Sequence, residues 1–129
     1  MTRVRNREAG QSLVEFALVL PVLAFILMGI IDFGRIFNAD LVVSEAARDA
    51  VRYASLGQSD AAVEQIAQSD AQTVAAVSAQ VMPPSSGVRQ SGSSVTVLVT
   101  GQVSLFDPLL AVLLGSPFQV QSQVTMRVE

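Results

Sequence analysis

The sequence predicts an α+β fold: a long N-terminal helix, first membrane-embedded and then amphipathic, packed on a second helix and a small antiparallel sheet. Three observations carry that expectation. From Phe16 to Ile31 no residue is charged. From Ile36 to Ala54 apolar residues return at helical spacing. The last third changes to period two, with valines alternating against polar residues.

The apolar run comes first. Phe16–Ile31 rises about 24 Å as a helix, short of the ~30 Å hydrocarbon core of a bilayer. Starting at Leu13 lengthens it to roughly 28 Å and brings Glu15 to the membrane edge. The membrane segment is therefore about residues 13–31. A carboxylate at that depth is costly and calls for a partner or a task. Arg3, Arg5 and Arg7 precede the run, and the remainder is acidic. That asymmetry predicts a cytoplasmic N-terminus and an outward C-terminal domain, in a single pass of the cytoplasmic (inner) membrane.

The helix does not need to stop at the membrane. Ile36, Val43, Ala47, Ala50 and Ala54 share one face, with Ala39 and Ala46 at its edge. Asn38, Glu45, Arg48, Asp49 and Arg52 gather on the other. One helix is expected from about Ser12 to Leu56, capped by Gly57. Pro21 lies inside it and predicts a kink or local unwinding near Ala17–Pro21. Asp32 and Arg35, Glu45 and Arg48, and Asp49 and Arg52 stand three residues apart, the spacing of weak helix ion pairs. Asp32 and Arg35 fall at the membrane exit, where they would fix helix depth. Asp40 falls near the apolar stripe, where a partner or solvent would meet it.

A second helix is expected from Ser59 or Asp60, either of which can cap it. Val63, Ile66, Ala67, Val74, Val77 and Val81 form its stripe. Asp70 interrupts that stripe and allows a break around Gln68–Asp70. The run from Pro83 to Gly87 ends the helix. Val95–Val103 and Phe118–Val128 then read as half-buried strands. Ser91-Gly92-Ser93 reads as a turn, with Val88–Gln90 a short strand before it. Pro108–Leu114 reads as a short helix begun at Asp107.

The spacing of Gly10 and Glu15 ahead of the apolar run resembles the cleavage motif of type IV pilin-like precursors. The matches G-Q-S-L-V-E-F-A-L-V-L-P, D-F-G-R and A-A-R-D-A-V-R-Y-A resemble more specifically the TadE-like family, minor pilins or pseudopilins of tight-adherence (Flp-type) pilus systems. The resemblance covers about residues 10–57. It implies cleavage after Gly10 by a prepilin peptidase, a mature chain beginning at Gln11, and Glu15 as its fifth residue. It implies a salt bridge from Glu15 to the N-terminal amine of a neighbouring subunit, and melting at Pro21 when subunits enter a filament. It also implies other pilin-like subunits, a polymerising ATPase and an assembly platform as partners, besides membrane lipid. The chain then divides into a cytoplasmic leader (1–10), the long helix (11–57) and an extracytoplasmic domain (58–129), which in a pilus becomes extracellular.

Composition narrows the chemistry. The formal charge is −3, and loss of residues 1–10 takes it to −5. No basic patch remains to hold nucleic acid. There is no cysteine and no histidine, so disulfides, thiolate chemistry and the commonest general base are excluded. No lysine stands in for the missing base, and no acidic pair or D-x-D-x-D loop appears. The expectation is a structural protein, not an enzyme, without cofactor or metal. A single-pass anchored binding domain outside any filament is the alternative. An anchored hydrolase ranks third for want of a base. A secretory signal peptide shares the basic start and apolar run, but no A-x-A-like site appears soon after Ile31, where Asp32, Phe33 and Arg35 stand.

Overall fold

The computed structural model describes residues 3–85 and 89–129, with side chains from Gly10 onward. Helix α1 runs Arg3–Ser55 and α2 runs Asp60–Asp70. Strand β1 (Ala75–Met82) pairs with β2 (Ser94–Val103), and the short helix α3 (Pro108–Leu114) leads into β3 (Phe118–Arg127). The sheet is antiparallel in the order β1-β2-β3, with Val97 opposite Val81 on one side and Val124 on the other. The α+β expectation holds.

The outer half of α1 packs on the sheet because its inner face is small. Ala39, Val43, Ala46, Ala47, Ala50, Val51 and Ala54 are all buried. Alanines let the helix approach the sheet closely, and the valines of β2 fill the space between. Val95, Val97 and Val99 are fully buried, while Thr96, Leu98 and Thr100 sit on the less covered face. That face carries a polar ladder: Ser78 bonds Thr100 and Thr96 bonds Thr125, each at 2.8 Å. Thus one face of the sheet is core and the other is wet, as the alternation of β2 dictates.

Gly101 marks the closest approach. A Cβ there would lie 2.5 Å from Val74 Cγ1 and 3.3 Å from Val43 Cγ2. The glycine lets α1 and the start of β1 meet over the end of β2.

Helix α1 ends through a double hydrogen bond. The Gly57 amide donates to the Ala54 carbonyl and the Gln58 amide to the Tyr53 carbonyl. Gly57 has φ +82°, the left-handed conformation this cap requires. Ser59 caps α2 by accepting from the Ala62 amide at 3.3 Å.

Four expectations need correction. α1 begins at Arg3 rather than near Ser12, so Gly10 and Gln11 lie inside the helix. Of the kink or unwinding expected at Ala17–Pro21, the unwinding is absent: the backbone stays helical through Pro21, since only one intrahelical donor is lost there. The second helix stops at Asp70, and Val77 and Val81 belong to β1. With no charge from Ala71 to Val81, the valines satisfy both periods, and pairing with β2 decides. Arg89 and Gln90 form no strand, and Val88 lies outside the described residues.

Candidate membrane-exit site

The large apolar side chains from Leu13 to Ile31 are all exposed. Gly10–Ser55 contains a window apolar and long enough to cross a membrane. Uncovered apolar area of this length is unfavourable in water and favourable in lipid. Just beyond it, polar groups converge.

Asp32 is fully buried. Its Oδ2 accepts from the backbone amides of Phe106 at 2.8 Å and Asp107 at 2.7 Å. Its Oδ1 faces Arg35 Nη1 at 3.4 Å. Arg35 Nη1 also donates to the Ser104 carbonyl at 2.7 Å. The guanidinium lies over the Phe106 ring, 4.2 Å from its centroid, a cation–π contact. Asp107 in turn accepts from the Leu109 amide at 2.8 Å and caps α3. Both oxygens of Asp32 are thus engaged, which offsets the cost of burying its charge.

This arrangement ties the β2–α3 connection to α1 at one level. At Gly29, one turn below Asp32, a Cβ would lie 3.6 Å from Asp107 Oδ2 and 3.8 Å from Leu110 Cδ1. The expected pairing of Asp32 with Arg35 is present, and its reach is larger than a helix-surface pair. Phe106 and Ser104 had no local signal. Asp107 was legible only as a cap.

The other singled-out residues lie apart. Gly10, Gln11 and Glu15 are exposed on α1, and Glu15 has no hydrogen bond or ion pair among the described residues. Pro21 is on the uncovered apolar segment. Asp40 is exposed on α1. Glu45–Arg48 and Asp49–Arg52 do not close as ion pairs among the described residues; their exposed side chains gain little by pairing in water.

A second tether, with no local pattern to announce it, lies at the far end of the domain. Arg89 Nη2 donates to Asp60 Oδ1. Arg89 Nη1 donates to the Gln58 carbonyl at 3.0 Å, and Nε to the Pro83 carbonyl at 3.1 Å. The Ser85 amide donates to Asp60 Oδ2 at 2.8 Å. Burial pushes the Asp60 carboxyl up, but the Ser85 amide and the Arg89 guanidinium outweigh it and hold the group below its ordinary value.

Residues 10–52 match the family model described as TadE-like protein, across the segment that carries the G-Q-S-L-V-E-F motif. No curated protein matches the chain. No solved structure matches it either.

Proposed function

From this TadE-like segment we propose that the chain is a minor pilin or pseudopilin of a tight-adherence pilus, held in the cytoplasmic membrane by α1. The match at residues 10–52 supports a role in such pilus systems. The observation that carries the finer reading is Glu15. It is a lone carboxylate on an otherwise uncharged helical surface, with no partner among the described residues. In low dielectric it would seek a cation, and the amine freed by cleavage after Gly10 in a neighbouring subunit supplies one. The role is structural, with no reaction catalysed by this chain. A prepilin peptidase, other pilin-like subunits, the assembly platform and its ATPase act on it or with it.

The long rod favours this reading over a simple anchor. Residues 36–54 fuse the membrane segment to the folded domain through one continuous helix, so subunits can pack by their helices with the domains outside. The Gly10–Gln11 bond lies within α1, so a peptidase must open the helix locally to reach it.

The test is the mature protein from its native host. Intact mass should show loss of residues 1–10, and residues 58–129 should appear in sheared surface fibres. A mature start after Ile31 would mean a secretory signal. Correct processing with no chain in fibres would leave an anchored binding domain.

A further inference from the structure

We propose that α3 is a second membrane contact: a short apolar helix seated in the outer interface of the bilayer beside α1. This rests on the reading that the apolar segment of α1 lies in lipid.

The sequence Pro108–Leu114 holds no polar side chain. As a helix it therefore has two apolar faces. Leu110 is turned to Gly29 of α1, within contact distance of that position. Leu109, Val112 and Leu113 project the other way, 62 %, 88 % and 79 % exposed. Their spacing, i, i+3 and i+4, makes one face. Phe106, just before the helix, is also exposed, with the Arg35 guanidinium over its ring. A helix apolar all round is a buried helix or a lipid-facing one, and nothing among the described residues covers its outer face.

Depth identifies lipid as the occupant. Gly29 is within the uncharged run, two residues or about 3 Å of rise before its end at Ile31. Asp32 then holds the Phe106 and Asp107 amides, so the root of α3 is fixed at the level where the apolar segment ends. On α1 at that level, Ile30, Ile31 and Phe33 are exposed as well. Charge agrees: after Asp107 the next ionisable side chain is Arg127, at the far end of β3. A short apolar face of this kind enters the headgroup–acyl boundary by about 5–10 Å.

The chain has no tryptophan, so a single introduced indole reports its own surroundings. Leu113→Trp, Leu23→Trp and Gln58→Trp would each be made in the full chain. Each would be reconstituted into phosphatidylcholine vesicles whose acyl chains carry bromine near the headgroup or near the chain end. The inference expects Leu113→Trp to emit at shorter wavelength than Gln58→Trp and to lose fluorescence to bromine near the headgroup more than to bromine near the chain end. Leu23→Trp should be quenched most by the deeper bromine.

Quenching of Leu23→Trp without quenching of Leu113→Trp would overturn the inference and leave the membrane span intact. An unquenched Leu23→Trp would overturn both. Equal quenching of Gln58→Trp and Leu113→Trp would mean a domain lying flat on the surface, contrary to the inference. A Leu113→Trp blue shift that grows with protein-to-lipid ratio but resists bromine would identify a second copy as the cover instead.

Discussion

Asp107 donates its backbone amide to the buried carboxylate of Asp32, 75 residues earlier in the chain, at 2.7 Å. Phe106 donates to the same oxygen. One side chain on the rod therefore positions the whole connection from β2 to α3. Because Asp107 also caps α3, the link passes from α1 to the amide of a residue and through its side chain to the next helix.

Asp32→Ala should release that connection. It removes a charged acceptor from two backbone amides, the Asp107 one buried and the Phe106 one partly so, and leaves Arg35 without its carboxylate. Hydrogen bonds to charged groups contribute about 1.5–3 kcal/mol each, less what solvent regains on relaxation. A loss of roughly 2–4 kcal/mol is expected. Chemical unfolding in micelles would measure it, and hydrogen exchange at Phe106 and Asp107 should accelerate well before exchange in β2. Arg35→Ala should cost less, since its guanidinium is partly exposed and the two amides keep their acceptor. Equal costs would mean the ion pair, not the amide cradle, is what matters.

Gly101→Ala tests the packing of α1 on the sheet. The new methyl would meet Val74 Cγ1 at 2.5 Å, and a valine has little freedom to turn aside. Overpacking of this kind costs about 1–3 kcal/mol. Thermal unfolding of the micellar protein should show the loss. A double variant with Val74→Ala should recover most of it, and no recovery would place the strain elsewhere.

Local pattern was enough for much of this architecture and silent on the rest. The inner face of α1 was legible because alanines and valines recur at helical spacing over five turns. β2 and β3 were legible because valine alternates with threonine or glutamine. β1 was not, because Val74, Val77 and Val81 fit a helix stripe as well as a strand, and only β2 breaks the tie. Val51 is buried yet fell outside the ideal-helix face. At the end of the apolar segment, Asp32 and Arg35 were visible as a pair. Their contacts to Ser104, Phe106 and Asp107 lie some 70 residues away and leave no period to read. Arg89 was invisible for the same reason.

The Asp60–Arg89 tether should be acid-sensitive. The Asp60 carboxyl titrates below its ordinary value in the folded chain, which is about 3.9. A lowered folded pKa means the tether's contribution is present above that ordinary value and is lost as pH falls through the lower folded one. Arg89→Ala should move the Asp60 midpoint upward, toward or past the ordinary value, and remove the acid-dependent part of stability. Carboxyl carbon NMR titration of both proteins would follow it. An unmoved midpoint would show that the Ser85 amide alone holds the group down.

Glu15→Leu separates the two costs that the N-terminal segment balances. Leucine removes a carboxylate from the apolar edge, so the variant should reside in the membrane at least as well as the wild type. Cleavage after Gly10 should be tested in parallel by intact mass, since a processing defect alone would also lower assembly. If Glu15 pairs with a neighbour's amine, the variant should be processed, retained and unable to support pili. Membrane level and assembly would then move in opposite directions, which loss of folding cannot imitate. Glu15→Asp should recover part of the assembly, because it keeps the charge on a side chain one methylene shorter. Normal pili from the leucine variant, at normal level and with normal cleavage, would show Glu15 to be a tolerated headgroup carboxylate and the pairing with a neighbour's amine to be wrong.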